Sequence, residues 1–214
     1  MLEFSYLCFL LFLFVFSIYI FKENNGLAPK KIRPFINILI IPFTIRIGVL
    51  IILTFMERQD LVYYLKYLNY LYLFSIPLSI IVSLYIFLRD EKLKFNYFYI
   101  FVFILLGVYI SVIKIFNFNL DISTMYGYII SLEKGMIVNL IYLILLSTSF
   151  IVSLLNVDKK YNNKIGIRFL LITLILYIIE YLLFLGGIKL YPYPMFGEAL
   201  ILMVLLKAVN TFKS

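Results

Sequence analysis

Apolar runs of membrane-crossing length recur along this chain, and short charged connectors separate them. A spanning helix needs about 20 mostly apolar residues to cross about 30 Å of hydrocarbon. Seven runs meet that need, at 2–21, 34–56, 67–88, 96–116, 135–155, 168–187 and 194–211. The connectors, among them KENNGLAPKKIR, RDEKLK and NVDKKYNNKIGIR, hold nearly all the charge. Hydrophobic residues make up 64% of the 214 and charged residues 14%. Soluble domains carry about 45–50% and about 25%, so no water-soluble core of this size could hide the surplus. The chain reads as all-α, a polytopic transmembrane helical bundle, with residues 1–214 as one membrane domain and no soluble domain.

Charge placement gives an orientation. Most of the 19 basic residues fall on one side of this threading, in the first, third and fifth connectors and after the last run. They include Lys30, Lys31, Arg33, Arg89, Lys92, Lys94, Lys159, Lys160 and Lys164. Cytoplasmic loops are enriched in Lys and Arg, so the N-terminus is expected outside and the C-terminus in the cytoplasm. The plasma membrane is the expected location and its lipid bilayer the first partner. The net charge of +8 is dispersed among loops. It does not form the continuous basic face that a phosphate backbone requires, so nucleic acid is not an expected partner.

Two other features fit a retained membrane bundle. The opening MLEFSYLCFLLFLFVFSIYIF has no basic leader and no small-residue cleavage site, both of which a cleaved signal peptide needs. In LVYYLKYLNYLYLF, Tyr63, Tyr64, Tyr67, Tyr70 and Tyr72 crowd the outer boundary of the third run. That is the level where amphipathic rings settle, so all five are expected in an interfacial belt.

Several chemistries are excluded. The chain has no histidine, which removes Ser-His-Asp and Cys-His nucleophiles and His-rich zinc sites. Asp60, Asp90, Asp121 and Asp158 all lie in connectors, and no GxxxxGK[ST] loop occurs. Lys207 stands late in the seventh run, where its stem can snorkel to the surface, rather than mid-membrane with an acidic counter-ion as a Schiff-base lysine would. No catalytic residue, cofactor or metal site is assigned, and an enzyme is the less favoured class.

Two ionisable residues remain deep inside the runs, Arg46 in the second and Glu180 in the sixth. A charge at that depth costs several kcal/mol unless something meets it. Each lies 12 residues along its run, about 18 Å from the cytoplasmic boundary at 1.5 Å per residue. At equal depth they are expected to pair, as a structural clamp or as part of a pathway. Thr173, Tyr177, Glu180 and Tyr181 fall on one helical face, and Pro42 precedes Arg46 by one turn. Ser75, Ser79 and Ser83 repeat at close-packing intervals, and Asn139 can bond across helices. Glu198 opens the seventh run after YPYPMFG. It is expected to favour the dipole of its own helix and is the candidate residue for an outer mouth.

Three functions are compatible with this pattern. The first is a small-solute or ion transporter, or a membrane subunit of a transport complex. The second is a non-catalytic interaction protein working in assembly, immunity or sensing beside another membrane protein subunit. The third is a lipid-processing membrane enzyme, which the lack of histidine and of aspartate in the runs disfavours.

Overall fold

The computed structural model describes residues 2–56, 59–88, 97–159 and 162–213. Arg58, Arg89, Asp90, Lys92, Lys94 and Lys160 of the connectors lie outside the described residues. Among the described residues, eight α-helices follow one another: α1 (Leu2–Leu27), α2 (Arg33–Phe55), α3 (Gln59–Asn69), α4 (Tyr72–Leu88), α5 (Tyr97–Ile115), α6 (Gly135–Leu155), α7 (Lys164–Leu185) and α8 (Phe196–Asn210). A 3-10 turn, Thr211–Lys213, ends the described chain. Among the described residues, six helical stretches are long and apolar enough to cross a membrane, with α3 and α4 together forming one of them over Asp60–Leu88.

Helix α1 shows how sequence spacing becomes packing. Tyr6, Leu10, Leu13, Ser17, Ile20 and Asn24 are its buried residues. They recur at alternating four- and three-residue intervals, the seam spacing of knobs-into-holes packing. That seam faces α2 and α8. The opposite face presents Phe4, Leu11, Phe12 and Val15 outward, which suits lipid rather than water. Helix α4 is the axis of the bundle: it packs against α2, α5, α6, α7 and α8, and almost every residue from Tyr72 to Leu88 is buried. Pro77 lies inside α4 and Pro42 inside α2 without ending either helix.

Three features depart from seven plain spans. First, the connector before α6 folds into an antiparallel hairpin, β1 (Phe118–Ser123) with β2 (Gly127–Leu132), in the register Phe118↔Leu132 to Ser123↔Gly127. Gly127 closes the turn at a φ of 71°, and an added Cβ there would collide with the carbonyl of Leu53 at the end of α2. Tyr128, Ile130 and Leu132 turn inward from β2, seating the hairpin on the ends of α2 and α3.

Second, the third run begins earlier than 67 and is broken. The chain leaves α3 at Asn69 and restarts as α4 at Tyr72. Across the break, Leu73 N–H donates to the carbonyl of Tyr70 at 3.1 Å, not to that of Asn69 as a continuous α-helix would require. The Asn69 carbonyl is thereby released from the helical ladder.

Third, the helix of the seventh run is only 15 residues long, about 22 Å at 1.5 Å per residue. It is preceded by irregular backbone at 191–195 in which Tyr191, Pro194 and Met195 are buried. Irregular backbone at membrane depth persists only where protein covers it.

The two ends of the bundle are distinguishable by their contacts. Tyr191 donates to Ser5 at 3.3 Å and Tyr126 to the carbonyl of Leu190 at 3.2 Å, joining the start of α1, the hairpin and the α7–α8 loop. At the other end, Asn163 N–H donates to the carbonyl of Phe87 at 2.8 Å, tying the start of α7 to the end of α4. Asn163 also caps α7 by accepting from Gly166 N–H at 3.0 Å.

Candidate functional site

Arg46 lies wholly buried among α2, α4 and α8. Its Nε donates to the freed carbonyl of Asn69 at 2.9 Å, so the helix break supplies one of its partners. Its Nη1 donates to Glu198 Oε2 in an ion pair whose two side chains are 1% and 0% accessible. The guanidinium carbon sits 4.6 Å from the centroid of the Tyr72 ring and 6.0 Å from that of Tyr193. Aromatic faces attract such a cation more strongly where water is excluded. A charge-assisted bond, a backbone carbonyl and two rings together meet the demand that burial creates.

The expected partner, Glu180, is elsewhere. Its Oε1 accepts from Phe196 N–H at 3.0 Å and its Oε2 from Gly197 N–H, so it caps the first turn of α8 from the neighbouring helix. Equal depth fixed the height of Arg46 and Glu180 but not their direction. Thr173, Tyr177 and Tyr181 follow the buried stripe of α7 at four-residue spacing, whereas Glu180 lies at its margin and is half-buried. Glu198 in turn is no outer-mouth residue. It is fully buried and faces Arg46, while its own helix terminus is served by Glu180. One oxygen, Glu198 Oε1, is buried without a hydrogen-bond partner, as is Asn69 Oδ1.

The tyrosines of α7 join a buried aromatic cluster. The hydroxyls of Tyr177 and Tyr142 are 3.2 Å apart, and Tyr181 donates to Asn139 Oδ1 at 3.2 Å. Tyr72 meets Tyr142 edge to face at 5.5 Å. Tyr177 also presses on the start of α8, where an added Cβ at Gly197 would run into its ring. The expected interfacial belt divides here. Tyr63, Tyr64 and Tyr67 are exposed as belt residues should be, but Tyr70 and Tyr72 are buried. The helix break turns those two inward.

A cavity of about 490 Å3 opens beside the hairpin and reaches Arg46. Tyr70, Tyr72, Asn139, Tyr181 and Tyr193 wall it, β2 residues 129–132 cross it, and Asp121, Glu133 and Lys189 also line it. Beyond Arg46 along α2, α4 and α8, Leu39, Phe43, Ile76 and Leu202 are at most 1% exposed. The cavity is a cup with a guanidinium in its floor. Tyr193 pins the hairpin over it: the hydroxyl accepts from Ile130 N–H at 2.9 Å and from Asn69 Nδ2 at 3.3 Å, and donates back to the Ile130 carbonyl at 3.3 Å.

Sequence reasoning missed Asn69, Tyr72, Tyr193 and Lys189 as parts of this site. Among the described residues, no group of three or more His, Cys, Asp or Glu could hold a metal ion. Compared with protein-family models, curated proteins and solved structures, the chain matches none of them.

Proposed function

We propose that this multi-pass membrane protein is a binding and sensing partner of another membrane protein, with the hairpin end outside and the cup above Arg46 as its ligand site. The observation that carries this reading is the cup itself, open beside the hairpin and closed by packed apolar side chains past Arg46. Its volume is within the range of small-molecule sites, about 300–1,000 Å3. Its lining also follows their usual composition, with aromatic walls and a few convergent polar groups. Ion or solute transport is the second reading, favoured by Pro42 inside α2, which carries Arg46, and Pro77 inside α4, whose Tyr72 ring packs on it. The outward placement of the hairpin rests on the excess of Lys and Arg in the opposite connectors, and the plasma membrane is the proposed location.

Cysteine accessibility separates the two readings. In a Cys8→Ser background, cysteines at Ser131 and Asn139 are to be labelled with a membrane-impermeant thiol reagent applied to either face. The binding reading expects labelling from the outer face alone. Labelling of Asn139→Cys from the cytoplasmic face would indicate alternating access and favour transport.

A further inference from the structure

The cup is lined by charges of both signs. On the hairpin wall stand two exposed carboxylates, Asp121 and Glu133, of which Glu133 already accepts from Asn117 Nδ2 at 3.0 Å. Lys189 of the α7–α8 loop also lines the cavity, its Nζ 4.7 Å from the centroid of the Phe184 ring. Arg46 is in the floor. A guanidinium has five N–H donors, and Arg46 spends one on Asn69 and one on Glu198. Those two bonds use its Nε and Nη1, and the side chain lines the cavity.

We infer that the ligand of this cup is a free amino acid or short peptide, its carboxylate on Arg46 and its ammonium on the Asp121–Glu133 wall. This inference rests on the binding reading above. A guanidinium offers planar donors matched to a carboxylate, and that of Arg46 borders the cavity. A purely anionic ligand would meet two carboxylates on the way in, and a purely cationic one would meet Arg46 and Lys189. A molecule with both charges satisfies each wall. Tyr70, Tyr72 and Tyr181 between the charged ends offer an aromatic surface for an apolar side chain. The side chain of Asn139 adds an amide beside the path, its Oδ1 accepting from Tyr181.

The test uses the full chain in nanodiscs of uncharged lipid, titrated calorimetrically with free leucine, free phenylalanine and the dipeptide leucyl-phenylalanine. Two capped forms of the dipeptide accompany it, one N-acetylated and one C-amidated. The expected result is binding of at least one free zwitterion, with each cap weakening the dipeptide about tenfold or more, as for loss of a charge-assisted hydrogen bond. In the surface double variant Asp121→Asn/Glu133→Gln, the penalty for acetylation should vanish while that for amidation remains. Arg46→Lys should shrink the amidation penalty because an ammonium lacks the planar fork. Equal binding of capped and free dipeptide overturns the inference, as does failure of all three free compounds to bind. Cysteine labelling keeps the readings apart. With Asn139→Cys reached only from outside, such failures remove the ligand class alone. Labelling from the cytoplasm removes the binding reading whatever the dipeptides do.

Discussion

Arg46 and Glu198, 152 positions apart in the chain, form an ion pair that joins α2 to α8 in the buried centre of the bundle. Removing one partner of a buried pair strands the other, at about 3–5 kcal/mol. Arg46→Ala and Glu198→Gln should each destabilise the detergent-solubilised protein on that scale. The double variant should recover part of the loss, with a coupling of about 0.5–3 kcal/mol. Arg46→Ala combined with Glu180→Gln should be nearly additive, since Glu180 bonds the α8 backbone instead. Coupling of Arg46 to Glu180 as strong as that to Glu198 would refute this pairing.

Glu180 has a job of its own. Its carboxylate serves two N–H groups at the start of α8, where a negative charge also meets the helix dipole. Replacing a capping side chain by alanine costs about 0.5–2 kcal/mol. Glu180→Ala should cost about that much and fray α8 at its first turn, while Glu180→Gln, which keeps one acceptor, should cost less. Amide hydrogen exchange at Phe196 and Gly197 reads the difference directly. Unchanged exchange in Glu180→Ala would rule the cap out.

Gly197 is constrained by a ring. A methyl at this position would overlap Tyr177, and overpacking a filled site costs about 1–3 kcal/mol. Gly197→Ala should therefore lower thermal stability, and Tyr177→Ala in the same chain should make the added methyl harmless. If the methyl costs as much in the Tyr177→Ala background as it does beside the ring, the collision is not the cause.

Tyr193→Phe should loosen the hairpin without unfolding the bundle. The lost hydroxyl leaves Ile130 N–H and Asn69 Nδ2 without their acceptor, at about 1–3 kcal/mol for buried groups. Exchange at the Ile130 amide should accelerate about tenfold for each 1.4 kcal/mol lost, while amides of α4 keep their protection. Equal acceleration throughout would mean that the variant unfolds globally.

Run lengths carried the helices well because hydrocarbon thickness imposes them. The 34–56 run is α2 within one residue, and 135–155 coincides with α6. Direction around a helix is a different quantity. One residue turns a side chain by about 100°, which separates the buried Tyr181 from the half-buried Glu180. The hairpin left a readable signal in FNLDIS, where apolar and polar residues alternate before a short turn ending in Gly127, whereas GYIISL is apolar at three positions in a row. Treating the segment as a connector passed over it. The inward turn of Tyr72 had no local signal, because it follows from the break after Asn69 and from what α2 brings opposite.

That break has a genetic consequence. The atom that anchors Arg46 Nε is the backbone oxygen of Asn69, and every amino acid carries the same one. No single codon change at position 69 can delete it. The anchor would be lost only if substitutions around 69–73 healed the helix and drew the oxygen back into the ladder. The arginine's two holds are thus unequally heritable: one is open to any change at codon 198, and the other is written into the path of the chain.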